Sequence, residues 1–273
     1  MVSVVPPSRT LTRHADDEAR RRRSGGGPCY RASVELRREW LGRIAYQDAW
    51  DRQHALVAER VAGQAPDTLL LLEHDPVLTL GRNADPRNIR ATDQQLAARG
   101  IQTLHVERGG EVTYHGPGQL VAYPILKLAD AALLLRPFVR ALELAMADTA
   151  QSYGIPAERR DGYPGCWVDP QGIDGPPRKL GALGLRVERG VTYHGIALNV
   201  TTDLADFELI DACGLTDITV TSVARELGWT GERALPSTEG VLVAAERFAR
   251  AFEQRLDDAV VASAAPRHTL TPA

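Results

Sequence analysis

Cysteine is scarce: three residues in 273, at Cys29, Cys166 and Cys213. So few, so scattered, make no disulfide framework. No Cys-x-x-Cys or His-x-x-x-His spacing offers a metal its ligands, so no metal and no cofactor is expected. This usage fits a reducing cytoplasm, where a lone thiol stays free. Long apolar runs are missing too. None approaches the ~20 residues that a bilayer span needs, and the N-terminus has no apolar segment of signal-peptide length. No membrane association is expected. A net charge of −3 gives no electrostatic reason for a nucleic-acid partner.

What is present is ordinary globular composition, 44% hydrophobic and 25% charged, in a chain long enough to bury a sizeable core. Residues 1–30 hold Pro6-Pro7, Arg20 to Arg23 and Gly25 to Gly27 without apolar periodicity, and read as a disordered extension. Residues 257–273 read as a loose tail. Residues 31–256 show no internal linker and read as one domain. Within it, Tyr46, Trp50, Val57 and Val61 share a helical face. Leu69 to Leu72 reads as a buried strand, and Val77 to Leu80 starts another. A long helix is expected from about Arg136, capped by Gly154. Cys166 to Val168, Lys179 to Val187 and Val191 to Val200 read as strands joined by Pro/Gly turns. A helix is expected to begin near Thr219, and Val241 to Leu256 carries the last one. Hairpin-like strands with intervening helices predict an α/β (α+β) fold: a mixed, largely antiparallel sheet packed with helices.

The most informative stretch is Arg108 to Gln119, RGGEVTYHGPGQ. Four glycines and a proline in twelve residues forbid a regular helix. Strand-like runs flank the block, so it is expected to be a rigid loop that a ligand can approach closely. Its Val-Thr-Tyr-His-Gly string recurs at Val191 to Gly195. Two copies imply two strands presenting the same polar edge to one site.

Three residue types could carry chemistry. Cys213 lies in a polar loop ahead of the expected helix, where a thiolate can be stabilised; taken alone, a loop cysteine reads as structural or incidental. Cys166 sits in a strand and behaves as a small apolar residue. Lys179 opens the apolar, glycine-rich run Lys179 to Leu185. It is either an edge-strand charge or a desolvated amine able to take the proton of Cys213. His115 and His194, one in each repeat, suit orientation or substrate contact more than proton transfer. Thr-Tyr-His-Gly is no Gly-x-Ser-x-Gly elbow, which argues against a serine hydrolase.

The block from Arg108 to Tyr123 resembles the signature of the lipoyl(octanoyl) transferase family. So do Lys179 to Leu185, His194 to Asn199 and Cys213-Gly214, in the same order over roughly residues 35 to 230. The resemblance implies the fold of the biotin/lipoate protein ligase catalytic domain. It implies transfer of an octanoyl group from octanoyl-acyl carrier protein to a lysine of lipoyl domains, those of 2-oxoacid dehydrogenase acyltransferase components and of the glycine cleavage H protein. By match, Cys213 is the acyl-accepting nucleophile and Lys179 lowers its pKa. The substrate-contacting positions are Arg108, Gly109, Gly110, Glu111, Val112, Thr113, Tyr114, His115, Ala182, Leu183, Gly184, Gly195, Ile196 and Ala197. Such an enzyme is expected to act in the cytoplasm as a monomer. This chain departs from the commonest pattern in its longer N-terminal extension, in an enlarged turn at residues 169–177, and in Ala182, where some members carry serine. The alternatives are an ATP-dependent lipoate or biotin ligase on the same fold, and a non-catalytic module that holds acylated carrier protein.

Overall fold

The computed structural model describes residues 9–10, 34–168, 176–211, 219–229 and 237–264. In chain order they form β1 (Arg9–Thr10), β2 (Arg37–Ile44), α1 (Tyr46–Val61), β3 (Thr68–His74), β4 (Val77–Leu80), α2 (Asp93–Ala98), β5 (Gln102–His105), β6 (Val112–His115), β7 (Gln119–Ile125), α3 (Leu135–Gln151), β8 (Ala157–Arg160), β9 (Tyr163–Val168), β10 (Arg178–Glu188), β11 (Val191–Asn199), β12 (Thr219–Val220), α4 (Val223–Glu226) and α5 (Ser237–Ala264). Nine of these strands make one sheet in the order β1-β2-β3-β7-β11-β10-β9-β8, with β12 beside β10. A second sheet has the order β5-β4-β6. The β2/β3, β10/β12 and β4/β5 pairs are parallel and the others antiparallel. The expected mixed, largely antiparallel sheet with packed helices is what forms.

The large sheet is covered on both faces. Along β3, Leu69 and Leu71 join the cluster under α3 and α5, while Leu70 and Leu72 join the cluster under α1. Alternate residues of a strand point to opposite faces, so a strand covered on both sides reads as an unbroken leucine run. Phe138 of α3 meets Phe252 of α5 edge-on at 6.0 Å, and Phe248 stacks on Phe252 at 5.7 Å. All three are fully buried. Each such side chain contributes about 1.5–3 kcal/mol by leaving water, which fixes the two long helices against the sheet.

Four expectations need correction. The glycine-rich block is not a continuous loop: β6 occupies its centre and pairs antiparallel with β4, Thr113 opposite Thr79. Glycines and proline flank Val112 to His115 but leave those four free to extend. Thr219 does not start a helix; Thr219 and Val220 pair in parallel with Arg178 and Lys179, as suits two β-branched residues. The helix there is the single turn α4, capped by the Ser222 side chain. The last helix does not loosen after Leu256 but continues to Ala264, because its alanine-rich end favours helix. Finally, Arg9 and Thr10, within the expected disordered extension, pair with Trp40 and Glu39.

Candidate active site

β6 of the small sheet and β10 with β11 of the large sheet face one cleft. Its wall includes Arg108, Gly110, Glu111, Val112, Thr113 and His115 from the glycine-rich block, Lys179, Ala182, Leu183 and Gly184 from β10, and His194 to Ala197 from β11. Tyr46 of α1 and Tyr123 of β7 complete it. The two Val-Thr-Tyr-His-Gly strings therefore do reach one site. Two positions inferred from the resemblance do not line it. Gly109 is not among the lining residues, and its N–H donates to the Leu185 carbonyl at 3.0 Å. Tyr114, 2% exposed, points into the core of the small sheet and meets Phe207 edge-on. Strand alternation sends Tyr114 away from the cleft when it sends Thr113 and His115 toward it.

Arg108 builds this wall. Only 7% exposed, its guanidinium donates to the Thr79 hydroxyl and carbonyl and to the carbonyls of Gly109 and Glu111, at 2.7–3.2 Å. A planar fork of donors suits several fixed carbonyls at once. The glycines allow the loop to seat: a Cβ on Gly81 would lie 2.3 Å from the Gly110 carbonyl oxygen, and one on Gly184 would lie 2.8 Å from that of Gly109. The close approach inferred from the sequence is real, but protein backbone makes it.

His194 is held in an uncommon conformation, with φ +54°. The regular ladder with β7 is interrupted beside it. Pro124 in β7 has no N–H to give the ladder, and the Thr192 hydroxyl donates to the Pro124 carbonyl at 2.7 Å and accepts from Leu126 N–H at 3.1 Å. The His194 N–H donates instead to Gln53 Oε1 of α1 at 2.8 Å. Both ring nitrogens are buried with no hydrogen-bond partner among the described residues. Burial pushes this imidazole down to about 3, so the ring is neutral near pH 7.

Lys179 is 9% exposed and borders the cleft, its Nζ 5.2 Å from the centre of the Trp167 ring. Cys213 and Cys29 lie outside the described residues, as do positions 169–175 of the enlarged turn. Cys166 is fully buried in the core, and burial pushes its thiol up to about 12. A neutral thiol without solvent access is inert, consistent with its reading as an apolar residue.

Behind the cleft lies a polar group that the sequence did not single out. His74 Nδ1–H donates to the Ile44 carbonyl at 3.2 Å, and Nε2 accepts from the Tyr123 hydroxyl at 2.8 Å. Tyr46 packs on His74 at 4.7 Å and stacks on His115 at 6.0 Å. Burial lowers His74 to about 4 and raises Tyr46 to about 12. It also lowers His115 well below the usual imidazole value, helped by His74 and the charge of Arg108. Tyr46 and Tyr123 were legible only as helix-face and strand residues. Nothing local marks them as cleft residues.

Among the described residues, no cluster of His, Cys, Asp and Glu could hold a metal ion, and no helix is long and apolar enough to cross a membrane. The architecture is that of the lipoyl protein ligase A/B catalytic domain, whose family model matches residues 45–249. Among solved structures, a bi-partite archaeal lipoate protein ligase from Thermoplasma acidophilum, studied with its E2 lipoyl domain, aligns with a TM-score of 0.55 at 15% identity, over 82% of this chain and 84% of that one. A lipoate-protein ligase A bound with ATP gives 0.52 at 14% identity, over 83% and 93%. At such identities the likeness is one of fold. Sequence relatives are more specific. The octanoyltransferase of Acidobacterium capsulatum is 46% identical over 219 residues, 78% of this chain and 88% of that protein. That of Chloroflexus aurantiacus is 50% identical over 190 residues, 69% and 83% respectively. The chain belongs to the octanoyltransferase family, enzymes of the acyltransferase class.

Proposed function

We propose that this protein moves an octanoyl group from octanoyl-acyl carrier protein to a lysine of lipoyl domains, through a thioester on Cys213. The acceptors are the lipoyl domains of 2-oxoacid dehydrogenase acyltransferase components and the glycine cleavage H protein, in the cytoplasm. The observation that carries this reading is the placement of Lys179: an amine only 9% exposed, at the wall of a cleft assembled from the glycine-rich block and the paired strands. Family membership supplies the acyl group, and the solved ligase paired with its E2 lipoyl domain supports the acceptor.

In the first step Lys179 takes the thiol proton of Cys213. The thiolate attacks the donor thioester, a carbon–sulfur bond forms, the donor's carbon–sulfur bond breaks, and Lys179 returns its proton to the departing carrier thiol, which leaves the lysine a neutral amine for the second step. An ordinary thiol, with a pKa of about 8.5, is only a few per cent thiolate at neutral pH, so this deprotonation matters. In the second step the lysine amine attacks, a carbon–nitrogen bond forms, the carbon–sulfur bond breaks, and the amine's proton passes to Lys179. Thioester exchange is nearly balanced and aminolysis to an amide runs downhill, so no ATP is needed. Backbone N–H groups of the glycine-rich segments hold the developing oxyanion, and losing one such donor typically costs about 100- to 1000-fold in rate. Each methylene of the acyl chain buried in an apolar channel contributes about 0.8 kcal/mol to its selection.

The test is octanoylation of a purified lipoyl domain without nucleotide. Octanoyl-acyl carrier protein should support it, and octanoate with ATP should not. Activity only with octanoate and ATP would make the protein a ligase. No transfer from either donor, with carrier protein still bound, would make it a holding module.

A further inference from the structure

His115 sits at the junction of four chain segments, and the hydrogen bonds there run in one direction. The direction begins at a group that can only accept, the Thr221 carbonyl. It receives Asn199 Nδ2–H at 3.0 Å, which fixes the asparagine amide and turns its Oδ1 toward Gln119. Oδ1 accepts from Gln119 Nε2 at 2.9 Å, and the same Nε2 donates to the Tyr114 carbonyl at 3.2 Å. Two acceptors on one nitrogen leave Gln119 no freedom to flip. Its Oε1 therefore faces His115 Nδ1, 2.7 Å away, and an amide oxygen has no proton to give. Nδ1 must carry the proton, and Nε2 must carry the lone pair. His115 borders the cleft with its ring stacked on Tyr46, so Nε2 is the nitrogen left for whatever enters. The other end of the chain is tied to the catalytic strand: Thr221 N–H donates to the Lys179 carbonyl at 2.9 Å.

We propose that this chain locks His115 as the Nδ1–H tautomer so that its Nε2 accepts a hydrogen bond from the incoming lysine amine and aims the nitrogen lone pair at the acyl carbon. The inference rests on the octanoyl-transfer reading above and adds to it a recognition group for the acceptor amine. Gln119 and Asn199 are positioning residues: they set which ring nitrogen is bare. The buried, neutral ring suits the task, because a protonated imidazole would have no acceptor to offer. The final proton acceptor remains Lys179. The proposal explains why a glutamine and an asparagine are buried at 2% and 4% exposure at the start of β7 and the end of β11, where apolar residues would pack at less desolvation cost.

Two isosteric substitutions separate acceptance from bracing. An asparagine amide overlays imidazole Nδ1; a glutamine amide overlays Nε2. In His115→Asn the bond to Gln119 can survive while the cleft-facing acceptor is gone. In His115→Gln an acceptor oxygen remains and the brace is lost. Octanoyl transfer from preloaded enzyme to a lipoyl domain should be about tenfold faster in His115→Gln than in His115→Asn, the loss expected for one hydrogen bond. The reverse order, or equal rates, would mean that the ring only braces Gln119, and would overturn the proposal. Nitrogen-resolved NMR of the unacylated wild type reads the tautomer without any activity. Protonated Nδ1 with bare Nε2 is expected and Nε2–H would overturn it. If the wild type never loads an acyl group, the function proposed above fails while the tautomer is still measured.

Discussion

Acid should destabilise this protein before most of its carboxylates titrate. His74 is fully buried, and its ring is held neutral with a folded-state value of about 4 against 6.5 when unfolded. Above pH 6.5 both states hold it neutral and it contributes no pH dependence. Between pH 6.5 and 4 the unfolded chain binds a proton that the folded one refuses. Stability then rises with pH across that window, and is lost as the pH falls through it. At about 1.36 kcal/mol per unit, the shift costs about 3 kcal/mol at pH 4 and about 1 kcal/mol at pH 5.5. His115 and His194 are lowered in the same direction, also chiefly by burial, so they steepen the same limb. Urea unfolding from pH 7.5 to 4 measures this directly. His74→Asn keeps an amide donor for the Ile44 carbonyl but does not titrate. Relative to its own value at pH 7.5, the variant should lose about 3 kcal/mol less than wild type by pH 4. Parallel curves for the two proteins would refute the claim that His74 is buried neutral.

Other outcomes follow from the same geometry. Cys166 should resist iodoacetamide at neutral pH in the folded protein and react only after denaturation; rapid labelling of the native thiol would contradict its burial. Gly195→Ala should abolish the native seating of β11 on β7, since its Cβ would fall 2.0 Å from the Ala122 carbonyl oxygen. Overpacking of this kind costs about 1–3 kcal/mol or more, and an unchanged melting temperature would argue against the close contact. Arg108→Lys should lower stability by about 2 kcal/mol and octanoyl transfer with it, because an ammonium cannot reach the Thr79, Gly109 and Glu111 acceptors together. Wild-type melting and transfer rates would show that the fork does not shape the cleft.

Much of the fold is legible locally. The unbroken Leu69 to Leu72 run announces a strand covered on both faces, and the period of Val241, Ala245, Phe248, Phe252 and Leu256 announces α5. What failed depends on partners distant in sequence. Val112 to His115 extends because β4, more than thirty residues earlier, supplies its ladder, and Thr219 extends because Arg178 does. The repeat of Val-Thr-Tyr-His-Gly pointed to one shared site, and both histidines line it. It could not show that one copy would follow ordinary strand geometry while the other is turned to φ +54° opposite a proline. Tyr114 is the cost of reading a motif as a continuous stretch: its side chain packs into the core of the small sheet while its neighbours Thr113 and His115 border the cleft. The tautomer of His115 depends on Thr221, Asn199 and Gln119, and no local pattern joins them.

The most direct measurement is the mass of the intact protein after brief exposure to octanoyl-acyl carrier protein, followed by peptide mapping. One octanoyl group should appear, confined to the peptide holding Cys213, absent from Cys213→Ala and slow to form in Lys179→Met. An octanoyl adduct on any other residue, or transfer that persists in Cys213→Ala, would contradict the covalent route.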